Sequence, residues 1–265
     1  MAVLVLFAPR LSQSAWYAQL QSENSGFAPA YEAQQRRLFS MTSFVALIGL
    51  CAAVLYLRYG NAVFTPAALA ELNREDGVLE GLSAILLLIA SAIAFGIAYR
   101  AGWTAVGLFH GFLGFLFFAM CGEEISWGQR FFDYATPEAL QGLNVQNEVN
   151  LHNMFGYVFD HMFILCFFLW GCVLPAMYWL WRPWRWFQSR IGLPMPSLGL
   201  AVAMLLVTLM QEQLTDAFIG TVQALRVPEL REFLSALCFL LMMSESRALL
   251  PTRFENASKD MQPAE

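Results

Sequence analysis

Six apolar segments, at roughly 40–57, 79–99, 102–121, 157–180, 197–219 and 230–249, dominate this chain. Each approaches the roughly 20 residues that a helix needs to cross about 30 Å of hydrocarbon. No water is available there to satisfy backbone amides, so such segments cross as helices. The expected fold is therefore all-α, a polytopic transmembrane bundle of about six spanning helices, with short interfacial helices in the outer loops. Composition agrees. Hydrophobic residues make up 58% and charged residues 13% of the chain, against about 25% charged in an ordinary globular protein.

Three regions follow from this pattern. Residues 1–38 read as a cytoplasmic surface segment, because the apolar run from Met1 to Ala8 stops at Pro9 and is too short to span. Residues 39–250 form the six-helix membrane domain, and residues 251–265 form a polar cytoplasmic tail. No basic stretch precedes the first apolar run, so no signal peptide is expected. The five cysteines all lie in apolar runs without metal-type spacing and read as small core residues.

Basic residues set the orientation. Fourteen of the fifteen are arginine. With the N-terminus inside, Arg10, Arg36, Arg37, Arg100, Arg182, Arg185, Arg190, Arg247, Arg253 and Lys259 face the cytoplasm. Arg58, Arg74, Arg130, Arg226 and Arg231 face outward. The expected location is a bacterial inner membrane with both termini cytoplasmic and the bilayer as constant partner. The tryptophans and arginines of 179–186 suit an interfacial belt. A net charge of −5 without a basic run excludes a nucleic-acid partner.

Two outer loops share the pattern TPxALxxLN, at Thr65–Asn73 and Thr136–Asn144. Thr at the cap and Pro in the first turn start a short helix, and the leucine spacing gives it one apolar face. Val227-Pro228-Glu229-Leu230 is a weaker echo.

Ionisable residues gather at the outer end, where they are costly and commonly functional. The second segment opens with Glu75, Asp76 and Glu80. The third ends in Gly122-Glu123-Glu124-Ile125-Ser126-Trp127-Gly128-Gln129-Arg130. Asn150-Leu151-His152-Asn153 follows, the fourth segment starts with Asp160 and His161, and the fifth runs on as helix through Glu212 and Asp216. Glu123, Glu124, His152 and Glu212 are the candidate catalytic residues. With His161 they are also the candidate ligands of a divalent metal such as zinc. Asp160, Asp216, Arg130, Asn153 and Glu80 are supporting partners. Bland readings stand beside these: Asp76 as a helix cap, and Arg130 as the counter-ion of Glu123 or Glu124. His110 lies deeper, facing the bundle, either as a neutral histidine bonded to a backbone carbonyl or as a proton relay. Gly107, Gly111 and Gly114 form a groove for a neighbouring helix.

The Gly122–Arg130 stretch with Asn150–Asn153, and Glu75-Asp76-Gly77 before it, resembles a signature of uncharacterised bacterial polytopic membrane proteins, and this resemblance implies no particular activity. Phe109-His110 followed by acids is similar in flavour to the alkaline ceramidase-like superfamily of zinc-dependent membrane hydrolases. The last segment lacks that family's HxxxH pair and the chain has one helix fewer, so no residue role carries over. Three functions are expected in order: a metal-dependent hydrolase or transferase acting on a lipid or lipid-linked substrate, an assembly protein docking a periplasmic partner, and an ion-coupled transporter with an acidic vestibule.

Overall fold

The computed structural model describes residues 33–74, 77–132, 134–137, 157–191, 193–220 and 226–249, and every regular element among them is helical. The principal helices are α1 (Met41–Val63), α2 (Pro66–Leu72), α3 (Val78–Ala101), α4 (Ala105–Glu124), α5 (Gln129–Phe132) and α6 (Tyr157–Phe168). A π-turn at Leu169–Val173 joins α6 to α7 (Leu174–Leu180). Next come α8 (Arg182–Ile191), α9 (Leu198–Thr208), α10 (Glu212–Phe218) and α11 (Val227–Ala248).

Met41–Val63, Val78–Ala101, Ala105–Glu124 and Val158–Leu180 are long and apolar enough to cross a membrane. A fifth crossing is made by α9 with α10, if their 94° bend is taken within one span. The expected count of about six is thus four or five by apolarity. The remaining helix, α11, has 22 residues and length enough to cross, but it carries Glu229, Arg231, Glu232, Glu245 and Arg247. These charges are tolerated because α11 is the central helix, packed against α1, α3 and α9. Charged groups in a membrane bundle turn inward, and Arg231 and Glu245 are buried here.

The fifth segment departs from expectation. It does not continue as one helix but breaks after Thr208, with Gln211 in extended conformation. Gln211 donates its side-chain amide to the Thr208 carbonyl at 2.8 Å and accepts from Arg231 at 3.3 Å. The break therefore satisfies a freed carbonyl and turns Glu212, Gln213 and Asp216 out to the exposed surface. No proline or glycine lies at the bend to announce it.

Several local readings hold. Thr65 caps α2 by accepting from the Ala68 amide, with Pro66 in the first turn. In the second loop Thr136 accepts from the Gln129 side chain, while 138–144 lie outside the described residues. Ser91 of α3 donates to the Gly114 carbonyl at 2.7 Å, and a Cβ at Gly114 would stand 2.8 Å from the Phe95 ring, so the glycine groove of α4 receives α3. His110 is buried with Nδ1 2.8 Å from the Val106 carbonyl. Helix α3 is capped at Gly77 without a side-chain bond, so the cap is not Asp76. The π-turn precedes Pro175, whose missing N–H forbids the regular bond to Gly171.

At the opposite end of the bundle, the starts of α1 and α9 meet the end of α11 around Glu245. Oε1 accepts from the hydroxyls of Thr42 and Ser197. Oε2 accepts from the Ser197 amide at 2.8 Å and from Gln34 at 3.3 Å. Gln35 is fully buried and bonds the Met195 carbonyl at 3.2 Å. Gln34 and Gln35 are therefore packed into the bundle, while Ala33, Arg36, Arg37 and Leu38 on either side of them are exposed. Arg185 caps the end of α7, donating to the carbonyls of Tyr178 and Trp179 at 3.0 and 2.8 Å.

Candidate functional site

Helix α4 ends at Glu124, and the chain then takes an unusual turn. Ser126, Trp127 and Gly128 all have positive φ, at 47°, 52° and 80°. Two consecutive non-glycine residues in the left-handed region carry strain of order 1 kcal/mol each, held in place by surrounding contacts. The Trp127 ring folds back over Gly122, where a Cβ would come within 2.9 Å of it. Its indole donates to Glu123 Oε1 at 2.7 Å, and its edge meets Phe118 at 6.4 Å. Tyr134 donates to the Trp127 carbonyl at 3.2 Å. The motif Gly122–Gln129 thus encodes one object, a helix end whose tryptophan is turned back onto it.

That turn forms one rim of a cleft of about 290 Å³ between α4 and α6, with Glu232 of α11 contributing to its wall. Its polar lining is Glu123, Glu124, Asp160 and Glu232, and its apolar wall includes Leu116, Met120, Phe159 and Phe163. Helices α4 and α6 scarcely touch each other. Deeper in, the gap closes where Phe109 meets Trp170 at 5.9 Å. Phe163, Phe167 and Phe117 pack around Phe239 of α11 below.

The four carboxyl groups are not equivalent. Asp160 forms an ion pair with Arg231, whose side chain is 4% exposed. Glu123 is held by Trp127. Glu124 and Glu232 have neither a hydrogen bond nor an ion pair to any described residue. They lie within electrostatic reach of one another, Glu124 also of Glu80 and Glu229, and Glu232 also of Glu229, Asp160 and the arginines Arg231 and Arg226. Both are half-buried, and a carboxylate partly withdrawn from water without a donor carries a desolvation cost. Glu245, saturated by four donors in the same protein, shows how this chain treats an acid whose role is structural. Glu124 and Glu232 are thus the two acids of the cleft left without a hydrogen-bond donor among the described residues.

Of the residues expected at the site, the structure brings Glu123, Glu124 and Asp160 into the cleft and Glu80 near it. His161 is exposed on α6, and Glu212 and Asp216 are exposed on α10; none of the three lines the cleft. His152 and Asn153 lie outside the described residues, as does the side chain of Arg130. Among the described residues no three histidine, cysteine or acidic side chains converge as a cation cage; Glu124 and Glu232, with Glu123 beside them, are those that could offer oxygens to a metal. Sequence reasoning missed Glu232, Arg231 and Gln211. For Arg231 the signal was present: Arg231, Ser235, Cys238, Met242 and Glu245 recur at helical spacing, so polar residues share the inward stripe of the last segment.

No protein-family model matches the chain, and no curated protein or solved structure is significantly similar to it.

Proposed function

We propose that this is a bacterial inner-membrane protein whose carboxyl-lined cleft faces the periplasm and performs hydrolysis or group transfer on a lipid or lipid-linked substrate. One observation carries the reading. Glu124 and Glu232 come from different helices and face a common apolar-walled cleft without a hydrogen bond or ion pair to any described residue, while Glu123 and Asp160 are held by Trp127 and Arg231. Such a pair can divide into acid and base. Among the described residues, seven arginines (Arg36, Arg37, Arg100, Arg182, Arg185, Arg190 and Arg247) belong to the end shared by residues 41 and 245, against five (Arg58, Arg74, Arg130, Arg226 and Arg231) toward the cleft end, which supports the orientation.

The gap between α4 and α6 suits an acyl or prenyl chain, and the carboxyl groups then meet the headgroup at the membrane edge. The cleft's described lining carries no basic side chain, which favours a headgroup presenting an amine or hydroxyl over a bare phosphate. A divalent cation such as zinc would take the same acids as ligands.

The test is to incubate purified protein with a bacterial lipid extract and follow products by mass spectrometry. Glu124→Gln and Glu232→Gln should each lower turnover by about 100-fold or more while the protein stays folded. Full turnover in both variants would sink the proposal, and metal analysis of wild type against Glu124→Gln decides the metal-dependent form.

A docking role is favoured by one observation, the exposure of Phe132 and Trp127 on the outer rim. It makes the opposite forecast, that a Glu123→Gln/Glu124→Gln variant complements fully. Transport is disfavoured, because Ser83, Ser91, His110 and Ser235 each bond a backbone carbonyl rather than forming a polar track through the bundle.

A further inference from the structure

A second concavity lies at the opposite end of the bundle and belongs to a different chemistry. It is an apolar trough of about 390 Å³ running along α3 from Leu88 to Ile97, and it ends at Arg100 of α3 and Arg247 of α11. Gly96 opens its middle, since a Cβ there would meet nothing within 4 Å. Neither arginine has an ion pair or hydrogen bond to any described residue. Glu245, the nearest acid along α11, is taken up by Thr42, Ser197 and Gln34 and does not neutralise Arg247.

Each arginine alone is explained by the helix terminus it occupies, where a cation complements the dipole. That does not explain why two cations from different helices, neither with a counter-ion among the described residues, border one trough, where like charges repel. The dimensions add a second constraint. From Leu88 to Arg100 the helix rises about 18 Å, close to the roughly 15 Å of one leaflet's hydrocarbon. The trough thus has the length of a single acyl region and carries its positive charge where a headgroup phosphate lies.

We infer that this trough is a binding site for an anionic phospholipid, with an acyl chain along α3 and the phosphodiester between Arg100 and Arg247. Arginine forks match phosphate oxygens in geometry as well as charge. A zwitterionic headgroup brings a cation that these two arginines disfavour. The lipid ties the end of α3 to the end of the central helix α11. The site is independent of the acidic cleft and does not rest on the function proposed for it.

The experiment is native mass spectrometry of the full-length protein, titrated with phosphatidylglycerol, phosphatidylcholine or soluble glycerol phosphate. Phosphatidylglycerol should be retained preferentially, phosphatidylcholine should not, and glycerol phosphate should not compete at equal concentration because it lacks the chain. Arg100→Gln/Arg247→Gln should weaken phosphatidylglycerol retention by about thirtyfold, two arginine contacts at a membrane surface. Arg100→Lys/Arg247→Lys should keep part of it, and Glu124→Gln/Glu232→Gln should leave it unchanged. Equal retention of the two phospholipids by the wild type overturns the inference, as does wild-type retention by the double glutamine variant. Should that variant fail to fold, the wild-type comparison of the two lipids still decides.

Discussion

The indole of Trp127 lies against Gly122 and donates to Glu123 at 2.7 Å, so a tryptophan five residues further along the chain covers the end of α4. The arrangement depends on the missing side chain at Gly122. Gly122→Ala should displace the ring and destabilise the protein by about 1–3 kcal/mol, read as a lower thermal midpoint together with a shift in tryptophan emission. Trp127→Phe should keep most of the packing and release Glu123.

Ser126 has a φ of 47°, a region that β-branched residues avoid. Ser126→Val should therefore cost about 2 kcal/mol or more, whereas Ser126→Gly should be tolerated. Thermal unfolding of the two variants side by side checks this. Equal loss in both would mean that the hydroxyl matters and the backbone does not.

Arg231 and Asp160 join the central helix to α6. Removing one member of a buried pair leaves an uncompensated charge, at a typical cost of about 3–5 kcal/mol. Asp160 is 30% exposed at its side chain, so Asp160→Asn should fall at or below the lower limit and Arg231→Gln should follow it closely. The Asp160→Asn/Arg231→Gln double variant should be more stable than the sum of the two losses implies, a comparison made by denaturant titration in detergent.

Glu245 and Glu124 should respond to the same substitution in opposite ways. Glu245→Gln replaces an acceptor of four donors and should lower stability by about 2–3 kcal/mol. Glu124→Gln relieves an acid without a donor and should leave stability unchanged or raise it by about 1 kcal/mol, while reducing turnover. Thermal midpoints and product formation measured on both proteins separate a structural acid from a functional one.

Much of the scaffold was legible in the residues. Apolar length marks the first four crossings, Thr65 and Pro66 mark α2, and helical spacing turns His110 inward to the Val106 carbonyl. The site was only half legible. Glu123 and Glu124 advertise themselves at the end of an apolar run. Arg231 reads as one of the outward-facing arginines and Glu232 draws no notice at the start of the sixth segment, but the packing of α11 among α1, α3 and α9 buries Arg231 and half-buries Glu232. The break at Gln211 is a tertiary event, made by a bond to an arginine twenty residues on, and periodicity holds no trace of it. Glu212 followed the bend outward, and Glu232 takes the place in the cleft that Glu212 was expected to fill.

The gap between α4 and α6 also sets how a ligand would be counted. A molecule entering sideways between two lipid-facing helices arrives by diffusion in two dimensions, so its effective concentration is its mole fraction in the leaflet. Diluting vesicles at a fixed lipid-to-protein ratio should then leave occupancy unchanged, and diluting the ligand with inert lipid should reduce it in proportion.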